Sequence, residues 1–76
     1  MSENELDKDE MEALSEIIDE FEGTFDEDVA VSIFNYDDEY VDLEAEYEDE
    51  STEQFKIPRK VLLDDIPVEE KINYIN

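Results

Sequence analysis

Cysteine and histidine are absent from the 76 residues, and glycine occurs once. Without cysteine there is no disulfide framework and no thiolate metal site. Without histidine the usual general base and most transition-metal sites are missing. One glycine cannot build a phosphate-cradling loop, and Ser2, Ser15, Ser32 and Ser51 stand in no nucleophile motif. No apolar run approaches the length of a membrane span, and the first ten residues contain no apolar leader core. Positive charge is scarce: five Lys and Arg face 27 Asp and Glu, a formal net charge of −22. These absences predict a soluble cytoplasmic protein that needs no cofactor, binds no dedicated metal and is not an enzyme.

Two acid-based chemistries remain. A carboxylate pair could in principle cleave a glycosidic bond, but so acidic a chain contains such pairs by chance, and its length leaves little room for a substrate cleft. Asp37 to Glu48 has the length of an EF-hand loop, yet Val41 stands at its fifth position and Asp42 replaces the glycine required at the sixth.

A net charge this large often signals disorder. Here 39% of the residues are hydrophobic and eight are aromatic, and they are patterned, which predicts a folded chain. The length fits one acidic domain, 1–76, near the lower size that one core stabilises alone, with residues 1–5 frayed. The charge is uneven. Residues 1–50 hold 22 acids and one base, Lys8, whereas residues 51–76 hold five acids and four bases.

Residues 6–22 read as an amphipathic helix, with Met11, Leu14, Ile18, Phe21 and Phe25 at helical spacing and Leu6 and Ile17 beside them. Asp19, Glu20 and Glu22 lie at its C-terminal end against the helix dipole, and Gly23 is a natural stop. Residues 28–34 are β-prone, NYDDE (35–39) is a turn, and residues 40–48 form a second strand. EDESTE (48–53) turns again, and QFKIP (54–58) reads as a third strand ended by Pro58. Pro67 with Glu69 and Glu70 opens a short helix carrying Val68, Ile72 and Ile75. The fold class is α+β: an N-terminal amphipathic helix, a three-stranded antiparallel meander and a short C-terminal helix.

The segment EYVDLEAEYEDE (39–50) carries the most information. Val41, Leu43, Ala45 and Tyr47 alternate with Asp42, Glu44, Glu46 and Glu48, the pattern of a strand with one buried face. Its other face is a row of like charges about 6.8 Å apart. Solubility requires a net charge of only roughly 2–8 in magnitude for a small domain, and excess charge destabilises the compact state. The turn acids Asp37 and Asp38 and the helix acids Glu12, Glu16, Asp19 and Glu20 extend the negative surface. Lys56, Arg59 and Lys60 are expected to pair with acids of the second strand and relieve repulsion.

The acidic helix ELDKDEMEALSEIIDEFE (5–22) and the strand EYVDLEAEYEDE (39–50) resemble the small acidic DNA-mimic proteins encoded by bacteriophages. These segments cover under half the chain, and no short motif defines the group. The resemblance implies an inhibitor that fills the basic DNA-binding surface of a host protein, first a nucleoid protein of the HU type, in the host bacterial cytoplasm. Asp42, Glu44, Glu46 and Glu48 would carry that contact, assisted by the other acids named above. Nucleic acid itself would not bind, because phosphates would meet a surface of their own sign. The alternative is an acidic interaction protein or chaperone for a basic partner that does not compete with DNA. A homodimer is expected through the apolar C-terminal segment (Val61, Leu62, Leu63, Ile66, Val68, Ile72, Ile75), which has no obvious partner within the chain.

Overall fold

The computed structural model describes residues 6–76, so the expected fraying of residues 1–5 lies outside the described residues. Helix α1 spans Lys8–Glu22. Asp7 starts it through a capping box: its carboxylate accepts the Glu10 N–H at 2.9 Å, and the Glu10 carboxylate accepts the Asp7 N–H at 3.3 Å. Leu14 and Ile17 are fully buried, with Leu6, Ala13, Ile18 and Phe21 packed around them. Met11, expected within the stripe, is 47% exposed. Glu10 lies seven residues before Ile17, on the same helical face. It turns inward there to meet Arg59, and this leaves Met11 at the rim.

Gly23 caps α1, but with φ of −69° it remains right-handed. The stop therefore does not use the left-handed freedom that makes glycine common at this position. Thr24 helps to end the helix, its hydroxyl donating to the Phe21 carbonyl at 2.7 Å.

Three antiparallel strands follow in the order β1-β2-β3: β1 Ala30–Tyr36, β2 Tyr40–Glu46 and β3 Thr52–Pro58. β1 begins and ends two residues later than the sequence pattern indicated, β2 stops at Glu46, and β3 starts at Thr52. The ladder accounts for the β2 and β3 limits, since Glu46 pairs with Thr52 and the chain then closes through a hairpin loop. That loop is tied by Tyr47 N–H to Ser51 O at 2.9 Å and Glu50 N–H to Tyr47 O at 3.0 Å. An irregularity between Ile33 and Asn35 ejects Phe34, which is 56% exposed.

Val41, Leu43 and Ala45 of β2 meet Val31, Ile57, Leu14 and Ile17 in one core. α1 therefore covers one face of the sheet, and Asp42, Glu44 and Glu46 occupy the other. Pro58 ends β3 and leads directly into α2, Arg59–Leu62, a helix that the sequence pattern did not indicate. Pro67 then caps α3, Val68–Lys71, which continues as a 3-10 turn over Ile72–Tyr74. Asn76 pairs with Lys56 in both directions, at 2.9 and 3.1 Å, and covers part of the outer edge of β3.

The C-terminal segment finds its partner inside the chain. Val61 and Leu62 belong to the core, and Ile66, Val68, Ile72 and Ile75 pack against it; Leu63 remains 58% exposed. Lys71 is buried, and its ammonium donates to the Leu62 carbonyl at 2.7 Å, capping the C-terminal end of α2. The apolar face on which the sequence-based dimer rested is thus already covered.

Glu50 has φ of 71°, a left-handed conformation that costs a side-chain-bearing residue roughly 1–2 kcal/mol. Glu50→Gly should stabilise the protein by about 1 kcal/mol, read as a higher midpoint in urea with an unchanged slope. An unchanged or lower midpoint would show that the turn is not strained.

Candidate interaction surface

The outward face of the sheet is built from alternate residues of three strands. β2 contributes Tyr40, Asp42, Glu44 and Glu46. Across the β1 ladder these acids face Asn35, Ser32 and Ala30; across the β3 ladder they face Lys56, Gln54 and Thr52. The carboxylates therefore form one central row with mostly neutral flanks, and the one cation opposite them is Lys56, beside Asp42. Asp42 and Glu44 are half-buried between their neighbours, and Glu46 is exposed. Glu48 falls in the hairpin loop beyond the end of β2, so it lies outside the ladder that sets this spacing.

Strand geometry also disposes of the EF-hand length match. Val41, Leu43 and Ala45 point into the core, so residues 40–46 cannot wrap around an ion. Among the described residues no group of three or more acids is placed to hold a metal. No described helix is long and apolar enough to cross a membrane.

The helix acids occupy the other side of the molecule. Glu12, Glu16, Asp19 and Glu20 are all exposed on α1, which packs on the inner face of the sheet. The strand row and the helix acids are therefore two separate acidic faces, with the core between them. α1 has no base in its last turn to offset its dipole. Glu22, at that end, instead accepts the Val31 N–H of β1 at 2.8 Å.

The turn acids differ in their tasks. The Asp37 carboxylate accepts the N–H groups of Tyr40 and Glu39, both at 2.8 Å. These two bonds, Tyr40 first, hold its carboxyl below the usual range. Asp37 thus builds the turn that Asp38 and Glu39 occupy. In the second hairpin Asp49 plays the same part toward Ser51, whose hydroxyl and N–H lower its pKa. Tyr47 closes the far end of β2 by donating its hydroxyl to Glu53 at 2.6 Å, and that carboxylate pushes the phenol up to about 12.

Sequence reasoning assigned Arg59 to the acids of the second strand, but its principal partner is on α1. Its guanidinium donates to both carboxylate oxygens of Glu10, at 2.8 and 3.1 Å, and to the Asp37 carbonyl at 2.9 Å. Its backbone N–H donates to Glu39 O at 2.8 Å, and its charge sits 5.9 Å from the Tyr36 ring centre. Lys56 lies 5.2 Å from the Tyr40 ring centre. One side chain thus joins the helix layer to the first hairpin. The partial signal in the sequence was the position of Arg59 directly after a strand-ending proline.

Comparison with protein-family models, with curated proteins and with solved structures finds no match for this chain.

The side chains of Glu10 and Arg59 are each 13% exposed. The bidentate bond from Arg59 keeps the Glu10 carboxyl below its ordinary 4.5. A depressed folded-state pKa contributes stability that is present above the unfolded value and lost as pH falls through the folded one. Glu10→Gln should cost about 1.5–3 kcal/mol at neutral pH. It should also flatten the acid limb of a stability-versus-pH curve below about pH 4.5. Denaturant melts at several pH values measure both, and an unchanged acid limb would rule out this pair as its source.

Proposed function

We propose that this protein is a DNA mimic that occupies the basic DNA-binding surface of a host protein, with a nucleoid protein of the HU type as the first candidate. The observation that carries this reading is the row Asp42, Glu44 and Glu46 on an open sheet face, flanked chiefly by neutral side chains. Such a row is a line of negative charge on a rigid support, as a phosphate backbone is. The acidic outer face of α1 supplies a second line on the reverse side.

The total charge is also of the order that DNA carries over the same length. At one charge per 1.7 Å, a duplex as long as the 37 Å axis of this molecule carries about 22 phosphate charges. The formal net charge of the chain is −22. Because that excess lies on two opposite faces, a basic groove evolved for DNA would meet only part of it over that length. Association would be steered electrostatically and would weaken with salt. The choice of an HU-type partner comes from the resemblance to phage mimics; the charge pattern specifies only that the partner is basic.

A purified HU-type protein and labelled duplex DNA provide the test, read by fluorescence anisotropy. The acidic protein should displace the DNA, weaken as salt rises, and give no gel shift with duplex alone. Glu44→Lys with Glu46→Lys should leave the fold intact and reduce displacement by roughly tenfold or more, since repulsive contacts replace attractive ones. A complex that survives excess DNA would instead favour an acidic chaperone or interaction protein. Direct micromolar binding to DNA at physiological salt would sink the mimic reading.

We also propose a homodimer, with its contact moved from the C-terminal segment to the outer edge of β1. All seven residues of that strand are uncharged, so beyond Val31, whose N–H the Glu22 carboxylate takes up, two strongly acidic chains can approach with least repulsion. Phe34 projects from the irregularity in the same strand. Light scattering should give about twice the 9.0 kDa chain mass, and Phe34→Lys should halve it. A wild-type mass of one chain at tens of micromolar would reject the dimer.

A further inference from the structure

A cleft of about 430 Å³ opens at one end of the carboxylate row, lined by Asp38, Glu39, Tyr40, Pro58, Lys60 and Tyr74. Three stretches of chain, residues 38–40, 58–60 and 74, build it. Tyr40 begins β2 and stands directly opposite Pro58, the last residue of β3. Tyr74 comes from the 3-10 turn and Lys60 from α2, while Asp38 and Glu39 come from the first hairpin. Tyr40 shares the outward face of β2 with Asp42, Glu44 and Glu46, so the cleft continues their line. The two tyrosines are 38% and 49% exposed, a large aromatic area for which the core has no use.

We propose that this cleft receives one arginine side chain of a basic protein partner and makes the surface selective for arginine over lysine. A guanidinium is planar, weakly hydrated and able to stack on aromatic rings while donating in a fork to carboxylates. Tyr40, Tyr74 and Pro58 supply apolar and aromatic walls, and Asp38 and Glu39 supply acceptors of opposite charge. These two acids outnumber Lys60, the one cation that lines the cleft. A lysine ammonium gains less from such a site, because it cannot stack and donates without planar geometry. The Lys56 ammonium already lies 5.2 Å from the Tyr40 ring centre, so an incoming guanidinium would stack on Tyr74 and on the part of Tyr40 that Lys56 leaves open.

The site is also pre-formed, which lowers the ordering cost of binding. Asp37 holds the hairpin through two hydrogen bonds, and Arg59 ties it to the body of the protein through Glu39 O and Asp37 O. The carboxylate row has no such geometry and would accept either cation. An aromatic site at its end would add shape selectivity to charge attraction, as tyrosine and arginine do at the energetic centres of interfaces. The proposal rests on the reading that the partner is basic, but its test needs neither that partner nor DNA.

The test is a titration of the full chain with two peptides, hexa-arginine and hexa-lysine, followed by NMR of the tyrosine rings and backbone amides. The arginine peptide should bind roughly threefold tighter or more and should shift the Tyr40 and Tyr74 rings. Tyr74→Leu keeps apolar bulk while removing the aromatic face, and Tyr74→Ala removes both. Either variant that retains the wild-type amide spectrum should bind the two peptides equally while keeping most of its affinity for hexa-lysine. Equal binding of both peptides to the wild-type protein would overturn the proposal, as would an arginine preference that survives in Tyr74→Leu. Neither result would touch the mimic reading, which stands or falls on competition with DNA.

Discussion

Repulsion among carboxylates constrains every layer of this fold. Two unit charges 6.8 Å apart repel by about 0.6 kcal/mol in bulk water and by about 2.4 kcal/mol at an effective dielectric constant of about 20. Directly opposed residues in a sheet stand closer still, so acids placed on three adjacent strands would repel more strongly. The fold avoids this by giving the acidic row to the central strand and by setting Ser32, Ala30, Gln54 and Thr52 beside it. The remaining excess is divided between two faces, with α1 and the apolar side of the sheet between them. Attraction comes from few groups, and Arg59 and Lys71 are used where they close junctions.

Arg59 is the foremost of these. It follows Pro58 at the end of β3, and from there its guanidinium spans Glu10 on α1 and the Asp37 carbonyl in the first hairpin. The same contact accounts for the rotation of α1, since Glu10 takes the inward position of the first turn and Met11 is moved to the edge. It also ties the hairpin from which Asp38 and Glu39 project to the body of the fold. Lys71 does comparable work at lower reach, drawing α3 onto the end of α2 through the Leu62 carbonyl. The two cations with these fixed internal tasks lie in the C-terminal third, and this explains why that segment is close to neutral.

Several local choices run against stability. Glu50 adopts a left-handed conformation that glycine would adopt at lower cost, and it stands in a loop with Glu48 and Asp49. Asp19 and Glu20 stand at the negative end of the α1 dipole with no base nearby in the last turn. Departures from local preference tend to gather where function constrains a sequence. Here they share one direction: each places a carboxylate on the surface where another residue would fold better. That is the pattern expected when surface charge itself is the selected property.

The period-two alternation from Tyr40 to Glu46 was enough to assign both faces of the central strand, because side chains on a strand must point alternately to opposite sides. The helical spacing of Met11, Leu14, Ile18 and Phe21 likewise identified α1, although Met11 is exposed and Ile17, read as flanking the stripe, is fully buried; the turn residues located both hairpins. Strand limits were less legible, since they depend on which partner residues complete the ladder: Glu46 pairs with Thr52, and Glu48 is left in the loop. Tertiary structure alone decided what meets what. The apolar residues from Val61 to Ile75 read as an unpartnered face, yet all of those named but Leu63 lie in the core or pack against it. Arg59 carried no mark in the sequence of a partner 49 residues away. The cleft between Tyr40 and Tyr74 was equally hidden, because its walls come from three separate stretches of chain and only packing brings them together. Local periodicity is written in neighbouring residues, whereas contacts across the fold depend on how the layers dock.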